Sequence, residues 1–162
     1  MADVLLINMW FSDLGRYGAS NYGLLKVIFE VNLKLFEQAA SKKLLFVLRD
    51  YDPDIDFNTV SEMLQQDVDK IWGEIYKPEK FAKSKPTDFF QFEFINFPSY
   101  KFQKKEFVEK TEELKQRLVV GSENALFLDD SEQKNLPIDG LHVFIEKSWE
   151  VIRNQKDLNL PD

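Results

Sequence analysis

The sequence predicts an α/β fold, a partial doubly wound and mainly parallel sheet of about three strands with flanking helices. Three observations carry it. Short apolar runs alternate with longer stretches of helical period, the first run begins at residue 4, and Leu44-Leu45-Phe46-Val47-Leu48 is apolar without a break. An uninterrupted apolar run of that length reads as a strand covered on both faces. Strands joined through helices lie parallel, with right-handed crossovers in nearly all cases. The element order is β-α-β-α-β-α-α, half of a doubly wound sheet.

The first strand is Val4–Trp10. The loop "FSDLGRYGASN" follows, with Gly, Asp, Ser and Asn as its turn formers. A helix over residues 21–37 carries Leu24, Ile28, Val31 and Leu35 in one stripe, widened by Leu25, Phe29 and Phe36. The second strand is Leu44–Leu48. The next helix is predicted to open on the capping box Thr59-Val60-Ser61-Glu62, with Val60, Leu64, Val68, Ile71, Trp72 and Ile75 buried. After a loop containing Pro78, four lysines and Pro86, Phe90, Phe92 and Phe94 alternate with Gln91, Glu93 and Ile95, the pattern of a half-buried strand near a sheet edge. A charged helix over residues 104–118 is expected to turn Phe107, Val108, Thr111, Leu114 and Leu118 inward. Residues 119–137 show no sustained period. A last helix over residues 141–153 places Leu141, Ile145, Trp149 and Ile152 on one face.

Composition narrows the function classes. The chain has 162 residues, 44% apolar and 30% charged, the make-up of one globular domain. Its net charge of −7 argues against general nucleic-acid binding, which rests on neutralising phosphates. With no cysteine, zinc–thiolate sites, disulfides and thiol nucleophiles are excluded. The opening Val4-Leu5-Leu6-Ile7 has no basic flank and is too short for a signal peptide or a membrane span.

The apolar run of the second strand stops at Arg49-Asp50. In doubly wound sheets ligands sit outside the C-terminal ends of the strands, and this pair stands there. The plain use of such a pair is a strand-end salt bridge or a cap for the turn at Tyr51-Asp52-Pro53. The sharper one is guanine recognition. Guanine offers an N1–H and an exocyclic amine side by side, so one carboxylate accepts from both, while adenine presents an acceptor at the first position. Charge-assisted hydrogen bonds of this kind contribute on the order of 1.5–3 kcal/mol each. An arginine can lay its stem or guanidinium against the base plane.

The stretch "ADVLLINMWFSDLGRYGASNYGLLKVIFEVNLKLF", then "KKLLFVLRDYD", "VDKIWGEIYKP" and "WEVIRNQKDLNLPD", resembles the root hair defective/SEY family of dynamin-like GTPases, relatives of the atlastins. The resemblance covers most of the chain and is weakest over residues 120–136. It implies that Arg49 and Asp50 recognise guanine. It also implies that the turn Phe97-Pro98-Ser99-Tyr100 supplies backbone against the other side of the base.

A phosphate cradle needs G-x-x-x-x-G-K-[ST], and none of the six glycines is followed by lysine. In the family that motif, the switch regions and the catalytic arginine precede the "ADVLLINMW" strand. The expectation is therefore one partial domain over residues 1–162, the C-terminal half of a P-loop GTPase domain, with no catalytic residue and no metal ligand of its own. GTP or GDP with Mg²⁺ is implied for the intact protein, as are a homodimer, endoplasmic reticulum membrane fusion and a place on the cytoplasmic face of that membrane. Membrane contact would come through segments outside this chain, and the chain itself is expected to be soluble and to hold no bound nucleotide. Its exposed strand Val4–Trp10 is expected to self-associate. The alternative from another class is a non-catalytic α/β adaptor with a structural Arg49-Asp50 pair.

Other signals read more plainly. Asp50, Asp52, Asp54 and Asp56 alternate, but a calcium loop needs Gly and Glu at its sixth and twelfth positions. Counted from Asp52 those are Phe57 and Met63, and from Asp50 they are Ile55 and Ser61. Lys80, Lys83, Lys85, Lys101, Lys104 and Lys105 interleave with Phe81 and Phe102, which in so acidic a chain reads as a solvated surface rather than a nucleic-acid patch. The single His142 has no partner at diagnostic spacing. Trp10, Trp72 and Trp149 are expected in the core.

Overall fold

A computed structural model describes residues 4–15, 20–35, 42–119, 121–122, 124–127 and 138–154. Three strands, β1 (Val4–Trp10), β2 (Lys42–Arg49) and β3 (Phe90–Asn96), pair in the order β1-β2-β3. Both pairings are parallel, with Leu6 opposite Leu45 and Leu45 opposite Glu93. The helices are α1 (Ser20–Leu35), α2 (Phe57–Glu74), α3 (Lys104–Arg117) and α4 (Ile138–Asn154). This is the alternation expected from the apolar runs.

The central strand explains its own composition. Leu44 to Leu48 are all buried, because the two faces of β2 feed two different cores. Leu44, Phe46 and Leu48 join Ile7, Met9, α1 and α2 in the larger cluster. Leu45 and Val47 join Phe97 and Leu126 on the opposite face, with Phe107 and Leu114 of α3 packed against them.

Four expectations need correction. On α1, Leu24 is 49% exposed while Phe29 is fully buried, so the buried stripe runs through Leu25, Phe29, Asn32 and Leu33. The aromatic partners decide this, since Phe29 meets Trp72 edge-on at 5.4 Å and Phe90 at 5.2 Å. Helix α2 starts at Phe57 rather than Thr59, because Asp56 caps it and accepts from the Thr59 N–H and hydroxyl. On α3, Val108, Thr111 and Leu118 face solvent. Its inner row is Phe107, Lys110, Leu114 and Arg117, whose long cations reach past the apolar surface to Asn96 and Glu93 at 3.0 and 2.6 Å. Of the tryptophans only Trp72 is core, and Trp10 and Trp149 are 46% and 61% exposed.

On α4, Leu141, Ile145 and Trp149 share a face as expected, but all three are exposed. The side chain of Ile152, and residues 36 and 37 of the expected first helix, lie outside the described residues. Strand β3 borders the sheet as its alternation suggested, and β1 forms the other border among the described residues. No described helix is long and apolar enough to cross a membrane.

Candidate functional site

The C-terminal ends of β1, β2 and β3 converge on Arg49 and Asp50. Leu48 is buried, Arg49 is half-buried and Asp50 is exposed, so the chain leaves the core over three residues. Asp50 turns it with a left-handed backbone, φ 51°. Aspartate tolerates that conformation better than most side chains.

The β2–β3 ladder continues past the strands. The Phe97 N–H donates to the Leu48 carbonyl at 2.7 Å, and the Tyr51 N–H donates to the Phe97 carbonyl at 3.0 Å. These two bonds bring the expected base readers and the turn Phe97-Pro98-Ser99 together. They also divide the turn's roles. Phe97 is buried in the smaller core and its carbonyl is occupied, and the Ser99 carbonyl accepts from the Phe102 and Gln103 N–H groups at 3.3 and 2.8 Å, so half-exposed Pro98 and the Ser99 side chain are what the turn presents.

Beyond Asp50 the loop is held at several points. The Tyr51 hydroxyl donates to the Ile55 carbonyl, and its ring meets Phe11 and Phe57 edge-on at 5.2 and 5.5 Å. Desolvation first, then the Asp56 and Asp52 charges, push the Tyr51 hydroxyl above its usual pKa, so it stays a donor at neutral pH. Asp52 accepts from the Asp54 N–H at 3.0 Å. The Thr59 backbone N–H, helped by its hydroxyl, holds the Asp56 carboxyl below the usual carboxylate range. Both carboxylates are thus engaged by loop and helix backbone. No group of three or more His, Cys, Asp or Glu side chains that could hold a metal occurs among the described residues.

Arg49 and Asp50 do not form an ion pair with each other among the described residues. The Arg49 guanidinium instead lies over the Trp10 ring, 4.4 Å from its centroid. Sequence reasoning missed this contact. The signal was present in the register, since Trp10 ends β1 where Arg49 ends β2 and parallel pairing sets them opposite each other. A cleft of about 640 Å³ opens next to the site and shares Tyr51 and Pro98 with it, but neither Arg49 nor Asp50 lines it.

The remaining sequence candidates lie on the surface, Lys104 against Tyr100 of the turn itself. His142 is exposed on α4. Lys80, Lys101 and Lys104 lie over Phe81, Phe102 and Tyr100 at 5.0, 5.3 and 5.6 Å, each within a local stretch of surface.

Fold and site together define part of a doubly wound α/β domain that offers a cation and a free carboxylate where such sheets take their ligands. The chain belongs to the root hair defective 3 GTP-binding protein (RHD3) GTPase domain family, whose match covers residues 1–161. It is thus a partial P-loop GTPase domain. It is 40% identical to protein SEY1 homolog 1 of Entamoeba histolytica, over 99% of this chain and 17% of that protein. It is 37% identical to the SEY1 homolog of Dictyostelium discoideum, over 99% of this chain and 18% of that protein. Protein SEY1 of Chaetomium globosum is also 37% identical, over 99% of this chain and 20% of that protein. The chain thus spans a fifth or less of the length of these relatives.

Proposed function

We propose that this chain is the guanine-reading half of a GTP-hydrolysing domain, with Arg49 and Asp50 as the base readers. The observation that carries the reading is Asp50. It is an exposed carboxylate on a left-handed backbone at the sheet's C-terminal end, without an ion-pair partner among the described residues. Its two acceptor oxygens suit the adjacent N1–H and amine of guanine. Pro98 and Ser99 follow directly on Phe97, which is tied to the same loop through the Tyr51–Phe97 bond.

The phosphate cradle, the lysine on the β- and γ-phosphates and the Mg²⁺ ligand would be supplied outside these 162 residues, because no G-x-x-x-x-G-K-[ST] occurs among them. Mg²⁺ would supply charge neutralisation on the phosphates. The whole polypeptide would act as a GTP-dependent dimer that fuses endoplasmic reticulum membranes from their cytoplasmic face, the role that the family resemblance implies.

The test is Asp50→Asn in a polypeptide that also carries the phosphate-binding half. Guanine-nucleotide affinity should fall by around 1.5–3 kcal/mol, because an amide cannot accept twice without presenting its own donor. Unchanged GTP affinity together with an unchanged GTP-over-ATP preference would sink the assignment.

A further inference from the structure

We propose that Trp10 is a positioning residue for base recognition. Its ring holds the Arg49 guanidinium away from the neighbouring carboxylate, so that Asp50 is free to accept from a purine. The proposal rests on the reading of Arg49 and Asp50 as base readers.

Arginine and aspartate at adjacent positions attract each other, and a carboxylate already paired to its neighbour must break that pairing before it can accept from a base. Here the guanidinium has another partner, the indole face at 4.4 Å. The contact is built into the sheet, because Trp10 and Arg49 are register partners on adjacent parallel strands. Trp10 is 46% exposed and lies on the opposite face of β1 from the buried Ile7 and Met9. The next residue, Phe11, meets the Tyr51 ring at 5.2 Å. Two consecutive residues of β1 and its exit therefore hold the residues before and after Asp50. Held over the indole, the guanidinium remains able to stack on a purine ring.

The experiment uses the domain with its phosphate-binding half and Mg²⁺, and measures Kd for GDP and ADP in four variants. These are Trp10→Leu, which keeps apolar bulk without a π face, Trp10→Phe, Arg49→Ala, and the Trp10→Leu/Arg49→Ala double variant. Trp10→Leu should weaken GDP roughly two- to five-fold, the size of one cation–π contact at a half-exposed site. ADP should weaken less, because only guanine uses the freed carboxylate. Trp10→Phe should retain most of the affinity. The double variant should be no weaker than Arg49→Ala alone, since Trp10 acts through Arg49. Losses that add in the double variant, or a Trp10→Leu protein that binds GDP normally while Arg49→Ala does not, would overturn the proposal. Normal GDP binding by Arg49→Ala is a different failure, that of the base-reader assignment itself.

Discussion

Asp50 and Asp56 are carboxylates six residues apart whose surroundings give them different work. Asp50 leaves the end of β2 without an ion-pair partner among the described residues, whereas Asp56 is bound to the first turn of α2 through Thr59. The difference was only partly legible. Arg49-Asp50 stood out because two charges end an apolar run, and its place at the strand's C-terminal end followed from the parallel order. The cap was assigned to Thr59 because Thr59-x-x-Glu62 imitates a capping box, yet Asp56-x-x-Thr59 offers a stronger acceptor three residues earlier. A carboxyl held below its usual value stabilises the fold above the unfolded-state value, near 3.8, and that contribution is lost as pH falls through the folded value. Asp56→Ala should therefore lower the denaturation midpoint at neutral pH and lose less of what remains on acidification below pH ~4 than the parent does. Asp56→Asn, which keeps an acceptor oxygen, should recover most of the neutral-pH loss. Denaturant titrations at pH 7 and at steps between about 5 and 2.5 would check both.

Among the elements, strands were easier to place than helix faces. β1, β2 and β3 are bounded by abrupt changes from apolar to polar residues, and their observed limits differ from the expected ones by at most two residues. α1 was harder because Leu24, Leu25, Val27, Ile28, Phe29, Val31 and Leu33 occupy most of its circumference, and two neighbouring stripes compete. Only tertiary partners, Trp72 and Phe90 on Phe29, choose between them. Phe29→Ala should accordingly cost about 3–5 kcal/mol. Leu24→Ala should change stability by well under about 1 kcal/mol, as an exposed position does. A pair of unfolding titrations decides which stripe faces the core. On α3, lysine and arginine in the inner row concealed the buried face, because a long cationic side chain covers apolar surface with its stem. β1 poses a separate question of pairing. Ile7 and Met9 are covered, which corrects the expectation of a strand exposed throughout Val4–Trp10, but Leu5 and Leu6 remain 37% and 46% exposed on a strand with no outer neighbour among the described residues. The 162-residue chain should associate through β1 in a concentration-dependent way, and Leu6→Lys should abolish this. Sedimentation showing a dilute monomer for both proteins would refute the expectation.

At the scale of the whole molecule, the parallel sheet, the two cores and the place of Arg49-Asp50 were legible because strand order follows from connectivity. The Trp10–Arg49 contact was not, because periodicity assigns an aromatic residue on a strand to the core by default. On the proposed reading, recognition is divided between the base, read here, and the phosphates, held outside these 162 residues. The isolated chain should therefore hydrolyse no GTP and bind it weakly at best, since phosphate and Mg²⁺ contacts supply most of the affinity. Turnover above the buffer blank in a contaminant-free preparation would contradict that division. The most direct test of the central claim, that Asp50 reads the base, exchanges the hydrogen-bond pattern on both sides. Xanthine carries a carbonyl where guanine has its exocyclic amine. An asparagine at position 50 accepts from the N1–H and donates to that carbonyl, whereas aspartate is repelled by it. In the domain with its phosphate-binding half, Asp50→Asn should lower affinity for GDP and raise it for xanthosine diphosphate, so that the preference between them reverses. If the two nucleotides keep the order and spacing of affinities they have in the parent protein, Asp50 does not contact the base and the account is wrong.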